Sequence, residues 1–329
     1  MNIFKNKNFY WLIFLWLILG FIFWRSDFIG SYFSIKPHDQ RENDRTTSSE
    51  EPAPTIKILF GGDLMFDRHI RFFADKEGGY DFVLADLKNL FFDYDLVIAN
   101  LEGPITNNNS ISLGTVPGTP NNFIFTFDPQ VAQALFDHNI RLVNLGNNHI
   151  LNFAQSGLVS TRQYLLDAGV DYFGFAGDDQ NRTFSRKIDG VTLGFVNYNQ
   201  FIEGGLVAAK EDIDSLAGMV DWLILYAHWG SEYQPQAGAS LKELAKNFVD
   251  RGVDLIIGSH PHVVGEKETY QGRTIYYSLG NFVFDQYFSS EVMTGLLLGI
   301  EIDKKTKKIV DIQEWSIKMV SDGRTILDS

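Results

Sequence analysis

Seven residues of this chain have side chains that ligate metals and share one kind of position. Asp63, Glu102, Asn148, His149, His228, His260 and His262 each stand just past an apolar, β-branched run. The runs are "IKILF", "DLVIA", "IRLVNL", "WLILYA" and "VDLIIG", beginning at Ile56, Asp95, Ile140, Trp222 and Val253. A set of carboxylate, amide and imidazole donors suits a divalent Mn, Fe or Zn ion, and the donors are numerous enough for two. Two ions held about 3.5–4 Å apart can clamp a phosphoryl group and activate a water. Glu102 is the expected bridge, since a carboxylate has two oxygens, and Asp63 is expected as a terminal ligand of one ion. Asn148 offers a neutral oxygen, which leaves His149 free to act as general acid. Pro261 disfavours helical backbone at His260, so "HPH" (260–262) is expected to be extended, with both imidazoles pointing the same way, one to each ion. His228 completes the set.

Each residue taken singly also has a structural reading. Asp63 resembles a helix cap, Asn148 a turn residue and His228 a buried, hydrogen-bonded histidine. Glu102 is the exception, because a carboxylate at the end of "DLVIANL" is costly to bury without a partner. His69 and His138 fit surface or capping roles. The chain has no cysteine, which excludes disulfides, iron–sulfur clusters and thiolate zinc sites. A net charge of −13 with no basic stripe argues against a nucleic-acid binder.

The elements that must position these residues follow from periodicity. Continuous apolar runs of this length mark strands buried on both faces. Helical patterns lie between them at 128–139 (opened by Asp128-Pro129), 156–169 and 239–252. Strand–helix alternation implies a layered α/β fold, with ligands gathering at the carboxyl ends of the strands. Residues 191–199 add a strand, and 295–303 with 309–320 form a hairpin expected to belong to a second sheet.

The amino-terminal part has a different character. Phe9 to Trp24 is uncharged, preceded by Lys5 and Lys7 and followed by Arg25. With no small-residue cleavage site, it reads as an uncleaved transmembrane signal anchor over 9–25. That leaves 1–8 as a cytoplasmic N-terminus, 26–55 as a disordered linker and 56–329 as a folded domain outside the cell membrane. Within the domain, residues 103–122 form a long polar loop leaving Glu102, a candidate rim or lid.

The motifs "GGDLMFDR", "DLVIANLEGPIT", "RLVNLGNNHILN", "HWGSEY", "GSHPHVVG" and "YYSLGNFVFDQ", in that order, resemble the CapA capsule-synthesis family (poly-γ-glutamate biosynthesis, PgsA-like) from Lys57 to Gln286. That resemblance implies a branch of the calcineurin-like metallophosphoesterases, with a four-layer αββα sandwich behind one N-terminal transmembrane helix. It implies a role in the synthesis or export of an anionic surface polymer such as poly-γ-glutamate, beside membrane-bound synthase or export subunits. Alternatives are a metal-dependent phosphoesterase acting on another envelope substrate, and a non-catalytic polymer-binding scaffold. Arg68 and Asn281 match motif positions expected to contact substrate. Three departures stand out. The usual Asp-x-His opening reads Asp63-Leu64-Met65, the bridging acid is a glutamate, and Asn152-Phe153-Ala154 replaces an acidic residue and an aromatic-glycine pair after His149.

Overall fold

The computed structural model describes residues 54–328 except 176 and 178–180. The proposed anchor and most of the linker lie outside the described residues. Among those described, no helix is long and apolar enough to cross a membrane.

The chain opens with parallel strands β1 (Thr55–Leu64), β2 (Leu96–Leu101), β3 (Ile140–Asn144) and β4 (Asp171–Phe173). Helix α1 (Arg68–Glu77) and the short α2 (Asp81–Leu84) and α3 (Lys88–Phe92) connect β1 to β2. The connections to β3 and β4 carry α4 (Gln130–Asp137) and α5 (Ala154–Ala168). A second sheet then forms from β5 (Phe184–Ile188), β6 (Val191–Asn199), β7 (Trp222–His228), β8 (Leu255–Ser259), β9 (Lys267–Tyr270) and β10 (Arg273–Tyr276), in the order β5-β6-β7-β8-β10-β9. Its crossovers are α6 (Gly205–Leu216) and α7 (Ala239–Asp250). Finally β11 (Asn281–Val283), β12 (Thr294–Asp303), β13 (Ile309–Met319) and β14 (Thr325–Leu327) return to the first sheet, giving β14-β13-β12-β1-β2-β3-β4 with β11 on the end of β1.

The side-chain period of two builds the layers. In β2, Val97 and Ala99 face the core under α1–α5, while Leu96 and Ile98 face the second sheet. In β7, Ile224 and Tyr226 meet the first sheet, and Leu223 and Leu225 pack with residues of α6 and α7. The result is helices, sheet, sheet, helices, the four-layer order the resemblance implied. Tyr226 ties the sheets together, its hydroxyl donating to the carbonyls of Ile98 (3.1 Å) and Gly61 (3.3 Å).

The helices fall where expected. Asp128 caps α4 by accepting from the Gln130 amide, and Gly169 ends α5 in the left-handed region at φ 82°. His138 does cap α4, but it is fully buried, its Nδ1 donating to the Ala134 carbonyl. The 294–303/309–319 hairpin corrects the expectation of a second-sheet hairpin, because β12 pairs antiparallel with β1 of the first sheet. The other edge of β1 is taken by β2, so the hairpin extends the sheet from the open side.

Candidate metal centre

The two sheets bring their carboxyl ends to one place. Across the first sheet Asp63, Asn100 and Asn144 are register partners, and across the second Asn199, His228 and Ser259 are. Gly62 allows a close approach at this end of β1. A Cβ there would lie 1.9 Å from the Gly280 carbonyl, which accepts the Asp63 amide at 3.1 Å.

Two donor groups form, sharing Glu102. The first joins Glu102, His228 and His260, and the second joins Asp63, Glu102 and His262. Asn148 adds to the first group, with its Oδ1 2.9 Å from His228 Nε2. Glu102 Oε1 lies 3.6 Å from His262 Nε2, 3.8 Å from His149 Nε2 and 4.0 Å from His228 Nε2. Neither Glu102 oxygen has a hydrogen-bond partner, although the residue is fully buried. The donors therefore converge on one buried carboxylate, and the set is able to hold a divalent cation. Asn148 is exposed at the mouth, and His149 is partly exposed.

Burial and neighbouring charge tune these groups. Burial, reinforced by the charge of Asp63, pushes the Glu102 carboxyl well above its ordinary range. For Asp63, burial also acts upward, but His262, His228 and the His260 amide outweigh it and hold the carboxyl at about 2. Burial depresses His149 and His260 to about 4 and His228 well below its usual value. Neutral imidazoles are the form that binds metal.

A shell of amides and hydroxyls, not singled out in the sequence, aims the donors. Asn100 donates to Asp63 Oδ1 (2.7 Å) and accepts from Asn144 and Asn147. Ser259 Oγ lies 2.9 Å from His228 Nδ1. Asn197, near the end of β6, donates to the Gly146 carbonyl ahead of Asn148. The available signal was polar residues ending otherwise apolar runs, as in "DLVIAN" and "FVNYN". Outer contacts of this kind fix the tautomer and orientation of metal ligands. Asn152 does so for His149. Its Oδ1 accepts from Nδ1 at 2.9 Å and from the Phe125 amide at 3.2 Å, while the Phe125 ring packs on the imidazole at 4.3 Å. The departure after His149 therefore keeps a contact but removes its negative charge. His149 is left neutral, so the acid role expected of it requires a proton to be taken up first.

One further expectation changes, and three others acquire partners. "HPH" is not extended, because His260 (φ 92°) and His262 (φ 58°) both lie in the left-handed region. The backbone is held there by the His260 amide donating to Asp63 Oδ2 (3.0 Å) and the Pro261 carbonyl accepting from Tyr233 (2.8 Å). Strain of this kind persists where surrounding contacts over-determine it. The imidazoles still divide between the two groups. Asn281, expected at the substrate, is fully buried behind His262. Its Oδ1 accepts from His262 Nδ1 (2.9 Å), and its amide nitrogen donates to Gln286 and Val292. Arg68, likewise expected at the substrate, pairs with Asp285 and with Asn122 between the rings of Phe125 and Phe284. The 103–122 loop, expected as a rim or lid, is tied to the body at two points. Ser112 donates to the buried Asp67 at 2.8 Å, and Asn122 is held by Arg68 at 3.1 Å. Met65 is fully buried and its sulfur accepts from the Asp67 amide at 3.1 Å.

The family model described as bacterial capsule synthesis protein PGA_cap matches residues 57–286. The chain is 26% identical over 344 residues to the capsule biosynthesis protein CapA of Bacillus anthracis, covering 97% of this chain and 80% of that protein. It is 27% identical over 248 residues to the PGA biosynthesis protein CapA of Bacillus subtilis (strain 168), covering 70% of this chain and 64% of that protein, just under two thirds of its length. Among solved structures it is similar to one of a phosphatase from Mycoplasma pneumoniae, 17% identical across 81% of this chain and 94% of that chain, at a TM-score of 0.49.

Proposed function

The chain belongs to the bacterial capsule synthesis protein family PGA_cap, and from that membership and the geometry of the buried centre we propose that it serves synthesis or export of an anionic surface polymer through metal-dependent hydrolysis. The observation that carries the hydrolytic part is Glu102, a fully buried carboxylate with both oxygens unpartnered and three imidazoles within 4.0 Å. A carboxylate in that position is strongly unfavourable unless cations compensate it. Glu102, Asn148, His228 and His260 would hold one ion, and Asp63, Glu102 and His262 a second, with Mn, Fe and Zn all matching the donors. Bound there, such ions polarise a phosphoryl oxygen and make a water acidic at neutral pH. His149 sits at the mouth with Nε2 3.8 Å from Glu102 Oε1, placed to take up a proton and return it to a departing oxygen, acting as base before acid.

The polymer assignment is supported by the Bacillus relatives, whose names refer to capsule and PGA biosynthesis. The uncharged run at 9–24, with its lysine and arginine flanks, supports a single-pass anchor that holds the domain outside the cell membrane near synthase or export subunits. Elemental analysis of the purified full-length protein, paired with a phosphoester panel, tests the hydrolytic reading. It requires bound transition metal and turnover. His149→Ala should lower kcat about a hundredfold or more with metal retained. Metal-free protein, or turnover indifferent to that substitution, defeats the proposal and favours a scaffold.

A further inference from the structure

The buried side chain of Arg68 reaches two of the four imidazoles of the centre, each through an aromatic ring. Arg68 opens α1 with its backbone in the left-handed region, at φ 52°, which is uncommon for any residue with a side chain. Asp67 holds it there, its Oδ1 accepting from the Arg68 amide at 2.9 Å. The guanidinium carbon stands 5.0 Å from the centre of the Phe125 ring and 5.4 Å from that of Phe284. Those two rings meet edge to face, 6.3 Å apart. Phe125 packs on His149 at 4.3 Å, and Phe284 packs on His262 at 4.7 Å. The other two imidazoles, His228 and His260, pack against Phe201 instead, at 5.8 and 4.2 Å.

The same guanidinium also holds the chain segments that carry the rings. One terminal nitrogen donates to Asn122 Oδ1 at 3.1 Å, three residues before Phe125. The other donates to the carboxylate of Asp285, the residue after Phe284. On the far side of Phe125, the Thr126 amide donates to Asp67 Oδ2 at 2.9 Å. Asp67 and Arg68 thus bracket Phe125 and tie it to Phe284. A planar fork with diverging donors makes both side-chain contacts at once, whereas a lysine ammonium is a point charge on a flexible stem. Cation–π attraction adds to the hold, and it is strongest where water is excluded, as at these two buried rings.

We propose that Arg68 is a positioning residue, which sets the imidazoles of His149 and His262 together through Phe125 and Phe284 and leaves His228 and His260 to other supports. The proposal rests on the reading of this centre as the reacting site, where Arg68 couples the acid to a ligand of one ion. Carbethoxylation of the metal-stripped full-length protein, read histidine by histidine by mass spectrometry, tests it without metal or turnover. Arg68→Lys should label His149 and His262 several-fold faster and leave His228 and His260 at wild-type rates. Arg68→Met alone would strand Asp285 as a buried charge, so the second variant is Arg68→Met/Asp285→Asn, with the same expected result. Phe125→Leu should release His149 more than His262, and Phe284→Leu the reverse. In calorimetry with added metal, both Arg68 variants should weaken the ion of Asp63, Glu102 and His262 about 10–100-fold and spare the other. The idea is overturned if Arg68→Lys labels like wild type, if His228 and His260 speed up equally, or if neither ring variant releases its own imidazole. A protein that binds no metal defeats the hydrolytic reading, while the labelling still decides the role of Arg68.

Discussion

Around Glu102 the protein builds two donor sets that share one carboxylate but differ in what else they contain. On one side Asn148, His228 and His260 arrive from three strand ends and complete a four-donor set. On the other, Asp63 and His262 stand alone with Glu102. Asp63 is already committed elsewhere, accepting from Asn100 on one oxygen and from the His260 amide on the other. Met65, two residues after Asp63, adds no donor there, its sulfur already accepting from the Asp67 amide. If two ions bind as proposed, the contrast predicts one held tightly and one weakly, with asymmetry set by donor number and prior commitment rather than by burial, since both sides are buried.

The largest test of this contrast removes what the sets share. Glu102→Gln should lose both ions and all turnover by elemental and kinetic analysis. In the presence of chelator the same variant should be more stable than wild type by about 1–3 kcal/mol in thermal or denaturant unfolding, because the unpartnered buried carboxylate is gone. Next come the separate sides. His228→Ala should weaken the tight ion by more than about a hundredfold, whereas His262→Ala should remove only the weak one, as titration calorimetry on metal-stripped protein would resolve. Equal losses would erase the asymmetry. Asn281→Ala leaves every donor in place but frees His262, so the weak ion alone should lose about 10–100-fold in affinity. Met65→His runs the other way and should tighten the second ion about tenfold if the imidazole reaches Asp63 and His262. No change would mean that the Asp67 amide holds the new ring as it holds the sulfur.

Much of this was legible from local pattern. The runs ending at Asp63, Glu102, His149, His228 and His260 were readable as strands because buried strands must be apolar on both faces. The donors were readable because ligands gather where such strands end. The backbone of "HPH" was misread, because Pro261 constrains His260 only locally. The left-handed turn is set by Asp63, on a strand 197 residues away in sequence, and by the contact with Tyr233. Arg68 and Asn281, expected at the substrate, gain partners that a sequence motif does not show. A motif position does not reveal that Asp285 and Asn122 hold the guanidinium, or that His262 faces the amide.

The chemical types of the donors, their attachment to strand ends and the layered α/β class are short-range properties, governed by periods of two and 3.6 residues and by the cost of burying a lone carboxylate. The division of those donors into a four-member and a three-member group and the asparagine shell that aims them are not short-range. They exist because two sheets pack with their carboxyl ends together, which places groups more than a hundred residues apart within hydrogen-bonding distance. Side-chain contacts at that range depend on register and packing angle, which no local pattern encodes.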